Sequence, residues 1–234
     1  MFVNYAHRGA SAYAPENTLS AFYLGLIMGA DGIETDIRRS KDGHLVLFHD
    51  DTMERTAGIS GGVEQYTLEE LKKLLIFGQK GFVPDRLVTL EEFLYLFGYR
   101  DLTFAIEIKE RGVEADMLEM IRRYKAADKC IFTSFDYEAL VRLRQLDGQI
   151  RLGYLFRDLN RENVEKAASI GCCQVCPHAL SLDPLSVEKL RKAGFSVRAW
   201  GITDEKIMEK CIRDGVDGGM TVNFPDKLTA VLKK

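Results

Sequence analysis

The sequence predicts an α/β fold: a single (β/α)8 TIM barrel with a small insertion after its second strand. Three observations carry this. Short apolar, often β-branched runs recur eight times in 234 residues, and helix-length segments separate them. No G-x-G-x-x-G follows the first run, which removes the main signature of an open dinucleotide-binding sheet. No low-complexity tract or long linker divides the chain, so one domain over 1–234 takes up all eight units.

The elements follow in order. The predicted strands are 2–6, 32–37, 103–108, 130–133, 150–155, 173–176, 196–200 and 218–222. Asn17-Thr18-Leu19 opens a helix that stops near Gly29. The segment 44–48, after the Asp42-Gly43 turn signal, reads as the return arm of a hairpin from the second strand. Residues 51–87, with Gly58, Gly61, Gly62 and a short helix over 67–75, form the insertion. Its place after a strand puts it over the catalytic face as a roof. Helices follow at 89–97 and 113–127, at 136–146 with Asp136 as N-cap, and at 184–193 with Pro184 at the start and Gly194 past the end.

Composition narrows the function. A chain of this length buries roughly 70% of its unfolded surface and needs no staple to fold. Lys plus Arg is 32 against 35 for Asp plus Glu, a net charge of −3, so neither nucleic acid nor an anionic membrane is an expected partner. No apolar stretch approaches the ~20 residues that span a bilayer, and the first residues lack the features of a signal peptide. A cytoplasmic location is therefore expected. There are five cysteines. Cys172, Cys173 and Cys176 share one apolar run with no second ligand pair nearby, so they read as small buried strand residues in a reducing compartment.

The chemistry sits at strand ends. In Gly32-Ile33-Glu34-Thr35-Asp36-Ile37, Glu34 and Asp36 share one face while Ile33, Thr35 and Ile37 share the other. In a barrel the apolar set meets the helices, so the carboxylates face inward. The same parity turns Ala105, Glu107 and Lys109 inward on the third strand, and Phe104, Ile106 and Ile108 outward. Glu34, Asp36 and Glu107 carry three negative charges and Lys109 offsets one, which leaves room for one divalent cation. All-oxygen ligands favour Mg2+, Ca2+ or Mn2+ over Zn2+. The competing assignment pairs these acids with Arg38, Lys109 and Arg111 in structural salt bridges. His7-Arg8-Gly9 follows the first strand and His49-Asp50 follows the hairpin arm. Two imidazoles at one site suit phosphodiester cleavage, one taking a proton from the attacking hydroxyl and the other protonating the departing alkoxide. Asp50 is placed to orient its neighbouring ring. Arg8 and Lys109 are candidate phosphate contacts. Trp200, the only tryptophan, is expected to end its strand and pack on the substrate's carbon skeleton, with core filling as the competing role. His178 is a candidate pocket residue or a loop residue, and His44 a surface residue.

Taken in order, His7-Arg8-Gly9, Pro15-Glu16-Asn17-Thr18, Glu34-Thr35-Asp36, His49-Asp50-Asp51-Thr52 and Glu107-Ile108-Lys109 resemble the glycerophosphodiester phosphodiesterase family. The resemblance runs to Gly215-Val216-Asp217-Gly218 and the segment 221–225. It implies a metal-dependent barrel that cleaves glycerophosphodiesters to glycerol 3-phosphate and an alcohol. It further implies His7 and His49 as acid and base, Glu34, Asp36 and Glu107 as metal ligands, Arg8 and Lys109 on the phosphate, and Glu16 as a buttress for Arg8. The sequence departs from the family after Trp200, where Gly201-Ile202-Thr203-Asp204 replaces a Thr and a Val-Asn pair. It departs again in Thr221-Val222-Asn223-Phe224-Pro225, one residue longer than usual. The alternatives are a phospholipase-type phosphodiesterase and a catalytically silent barrel. The first needs an exposed apolar rim, for which Phe77, Phe82 and Val83, interrupted by Lys80 and Asp85, are the only hint.

Overall fold

A computed structural model describes residues 2–79 and 81–233, so Lys80 lies outside the described residues. The strands are β1 (Asn4–His7), β2 (Gly32–Arg39), β3 (Leu45–Leu47), β4 (Thr103–Ile108), β5 (Cys130–Ser134), β6 (Leu152–Phe156), β7 (Gln174–Pro177), β8 (Ser196–Ile202) and β9 (Gly219–Val222). β1 pairs in parallel with both β2 and β9 and so closes an eight-stranded ring, a TIM barrel. β3 stays outside it, antiparallel to β2.

The helices are α1 (Leu19–Ile27), α2 (Glu54–Ala57), α3 (Leu68–Lys73), α4 (Leu90–Phe97), α5 (Glu114–Arg123), α6 (Tyr137–Leu146), α7 (Arg161–Ser169), α8 (Pro184–Lys192), α9 (Glu205–Arg213) and α10 (Pro225–Leu232). Their starts follow local chemistry. Thr89 accepts from the Glu92 amide while Glu92 bonds back to Thr89, a closed capping box that begins α4. Asp136 caps α6 through the Glu138 amide.

Strand parity separates two cores. Ile33, Ile37, Phe104, Ile106 and Ile108 point out and pack with Phe22, Phe93 and Phe97 between ring and helices. Inside the ring, Val3, Tyr5 and Ala105 form a small plug. Residues of 51–87 bury Met53, Val63, Leu71 and Ile76 against Val46 and Phe48 of the hairpin, a satellite core separate from that of the barrel.

Three boundaries and the burial of one residue differ from the sequence expectation. His7 is the last residue of β1 rather than the first beyond it, because its register with Glu34 extends the pairing. Trp200 does not end its strand: β8 continues to Ile202 through an irregularity between Ala199 and Ile202, where Gly201 takes φ +76°. The 113–127 helix stops at Arg123, since Lys125 adopts a left-handed φ of 53° and Ala127–Lys129 tightens into a 3-10 turn. Of the clustered cysteines, Cys172 and Cys176 are buried but Cys173 is exposed.

Candidate active site

Register assembles the site at the C-terminal ends of the strands. Pairing of His7 with Glu34 and of Asp36 with Glu107 sets one residue from β1, two from β2 and one from β4 side by side. Ligand atoms of Glu34, Asp36 and Glu107 lie within 4.8 Å of one another, and all three side chains are buried. Lys109 Nζ is 2.6 Å from Glu107 and 3.4 Å from Asp36. Arg8 Nε is 3.3 Å from Asp36, so Arg8 offsets charge in the cluster as Lys109 does, and its Nη1 donates to Glu16 Oε1 at 2.9 Å. Arg38 and Arg111 take no part: Arg38 binds the His49 carbonyl and Asp51, and Arg111 binds Asp136.

Electrostatics divides the three acids. Burial, together with Asp36 and Glu107, pushes Glu34 well above the usual carboxylate range. Burial and Asp36 also raise Glu107. At Asp36 burial acts in the same upward direction, yet Arg8 and Lys109 outweigh it and hold the carboxyl low. Asp36 Oδ2 accepts from Asn17 Nδ2 at 2.9 Å, while Asp36 Oδ1 is buried without a hydrogen bond. That oxygen has only the Lys109 ammonium at 3.4 Å, and three buried carboxylates against two cations leave a donor set that fits a hard divalent cation.

The two imidazoles have different partners. His7 Nδ1 lies 2.6 Å from Asn223 Oδ1, so Nδ1 carries the proton and Nε2 is left free, 3.8 Å from Glu34. Burial and the neighbouring Arg8 charge push the His7 pKa down to about 3, which keeps the ring neutral. His49 Nδ1 lies 2.6 Å from Asp50 Oδ1, a carboxylate partner that favours a protonated ring. Burial acts against that proton, and the balance at His49 is a lowered pKa.

A cavity of about 140 Å3 is lined by both rings, by the charged side chains of Arg8, Glu34, Glu107 and Lys109, and by Phe135, Leu155 and Trp200. Trp200 is fixed by its Nε1, which donates to the Cys176 carbonyl at 3.0 Å, and Phe135 packs edge-on against its ring. His178 stands apart from this lining. It packs edge-on behind Trp200 at 4.7 Å and accepts from the Leu180 amide. His44 hydrogen-bonds through its backbone to Ser40 and its side chain is largely exposed. Phe77, Gly78 and Gln79 of the 51–87 segment line an adjoining cavity with His7, Arg8 and Asn223.

Sequence reasoning missed Arg198, Asn223, Arg55 and Phe135. Arg198 is buried and lines the cavity, with its guanidinium over the Tyr5 ring and Nη1 on Thr221. The parity argument applied to β2 finds it as well, since Arg198 shares a strand face with Trp200.

A closed parallel barrel with a charged, imidazole-flanked cavity at the C-terminal mouth of its strands is the architecture of a TIM-barrel enzyme. Residues 7–227 match the Glycerophosphoryl diester phosphodiesterase family. The chain is 35% identical, over 98% of its length and 97% of the relative's, to a glycerophosphodiester phosphodiesterase of Caldanaerobacter subterraneus subsp. tengcongensis. It superposes with a TM-score of 0.90 and 29% identity on an Oleispira antarctica phosphodiesterase solved with the product sn-glycerol-3-phosphate, covering 98% of this chain and 96% of that one. A Thermotoga maritima glycerophosphodiester phosphodiesterase matches at TM-score 0.77 and 30% identity, over 100% and 99% of the two chains. The chain belongs to this family, and it is a phosphoric diester hydrolase acting on glycerophosphodiesters. Among the described residues, no helix is long and apolar enough to cross a membrane.

Proposed function

We propose that the enzyme is a metal-dependent hydrolase that releases glycerol 3-phosphate and an alcohol by proton transfer between His7 and His49. The observation that carries this is the pair of imidazoles facing one cavity with unlike partners, an amide oxygen on His7 and a carboxylate on His49. His7, neutral with Nε2 free, takes the proton from the attacking hydroxyl, whether of water or of the neighbouring glycerol carbon. His49, supported by Asp50, gives a proton to the departing alkoxide. Arg8 and Lys109 hold the phosphate oxygens and balance the charge that builds on them. Glu34, Asp36 and Glu107 would hold Mg2+ or Ca2+, with Mn2+ also suited, and a bound ion there supplies the charge that polarises the phosphoryl group. Phe135, Leu155 and Trp200 offer an apolar wall to the glycerol carbons, with His178 backing the indole. The 51–87 segment covers one flank of the pocket through Phe77 and Gln79. Five free cysteines suit a reducing cytoplasm.

The test is release of glycerol 3-phosphate from several glycerophosphodiesters with and without EDTA. Chelation should abolish turnover, and Mg2+, Ca2+ or Mn2+ should restore it. Turnover indifferent to EDTA removes the metal from the reaction, and a folded His7→Ala enzyme at native kcat removes that ring.

A further inference from the structure

Arg55 belongs to the short helix α2 of the segment outside the ring, yet its guanidinium reaches two arms of the site at once. Nη1 and Nη2 donate to the two oxygens of Glu16 at 2.7 and 2.6 Å, and Nε donates to Asp50 Oδ2 at 2.6 Å. Glu16 in turn accepts from Arg8, and the other oxygen of Asp50 is bonded to the His49 ring. One continuous chain therefore runs Arg8–Glu16–Arg55–Asp50–His49. It joins the loop after β1 to the loop after β3, which approach each other through no shared strand pairing.

We propose that Arg55 is a positioning residue that fixes the separation and orientation of Arg8 and His49. The proposal rests on the roles given to those two residues above. A planar guanidinium has the fork needed to serve two carboxylates from three nitrogens, whereas a lysine offers a single point charge. The base of the fork is itself held. Met53 and Ala57, on either side of Arg55, are buried in the satellite core, and the Thr56 carbonyl accepts from the Phe77 amide at 2.6 Å. The segment that borders the pocket thereby also sets its geometry. Arg55 is 52% exposed on its side chain, and exposed ion pairs contribute little to stability, so the consequence of the clamp falls on geometry.

The test compares Arg55→Gln and Arg55→Lys with the native enzyme in kcat, KM and thermal midpoint. Both variants should stay folded, with midpoints within about 3 °C of native. Their kcat should fall roughly 10- to 100-fold, as when the groups that orient reacting side chains are removed. A double-mutant cycle supplies the second readout: Glu16→Gln and Asp50→Asn should be non-additive in kcat/KM when Arg55 is present and additive in Arg55→Gln. Native kcat in both Arg55 variants, or additivity with Arg55 in place, overturns the proposal, as does a loss of rate that only tracks a loss of folded protein. His49→Ala at native kcat overturns the acid–base assignment and this inference with it. An inactive His49→Ala beside fully active Arg55 variants overturns this inference alone.

Discussion

At the scale of single residues, the choice of partner decides how readily an imidazole takes up charge. An amide oxygen on Nδ1 fixes the His7 ring without adding charge, so burial and Arg8 keep it neutral. Replacing Asn223 with Asp puts a carboxylate on that nitrogen and stabilises the imidazolium, so the His7 pKa rises from about 3 toward neutrality. Below the new value the ring is already protonated and cannot accept. The acid limb of kcat/KM in Asn223→Asp should therefore move to higher pH, which a pH–rate profile measures. A limb that stays in place would count against His7 as the base. Much of this cluster is legible in the sequence, because alternation along β2 and β4 puts Glu34, Asp36, Glu107 and Lys109 on inward faces. Asn223 lies one residue past β9, with no period to mark its role. Arg55 is invisible, since a four-residue helix has no face to read and its partner Glu16 lies 39 positions away.

At the scale of elements, the turn that joins β1 to α1 bears the most constraint. Arg8 adopts φ +55°, an uncommon conformation for a side chain of this kind, and Gly9 follows at +83°. A β-carbon on Gly9 would sit 2.5 Å from the Ala21 carbonyl carbon, so the strand and the helix could not both keep their places. Gly9→Ala should lose about 2 kcal/mol or more, from the left-handed backbone and the contact together, and kcat should fall because Arg8 moves with the turn. Urea unfolding and steady-state rates would check both; an unchanged midpoint would show that the turn relaxes freely. The cap at Asp136 is readable because its chemistry is local. The ends of β1, β8 and α5 are not. Tertiary pairing extends the first two, and a single left-handed residue, Lys125, cuts the third short.

At the scale of the whole molecule, the barrel depends on joining residues from opposite ends of the chain. Asn4 of β1 is buried and donates to the Pro225 carbonyl at 2.9 Å and to Thr229 at 3.0 Å, across the seam between β1 and α10. Asn4→Ala leaves that buried carbonyl without this donor and should cost about 1–3 kcal/mol while sparing kcat, because the seam lies at the opposite end of β1 from His7. Chemical denaturation paired with activity of the folded fraction tests this, and a rate loss as large as the stability loss would contradict it. The closed ring itself was legible from eight recurring runs. The seam was not, because nothing in the sequence ties position 4 to position 225.

The ninth strand has a mechanical consequence of its own. His49 hangs from a rung outside the ring, aligned to β2 by the pairs Ile37 with Leu47, Arg38 with Val46 and Arg39 with Leu45, and by the Phe48 amide on the Asp36 carbonyl. Slipping that arm by one step would carry the imidazole about 3.3 Å along its rail and turn its neighbours inside out. The hairpin bend near Gly43, with open space around it, thus acts as a length gauge for an imidazole that it never touches.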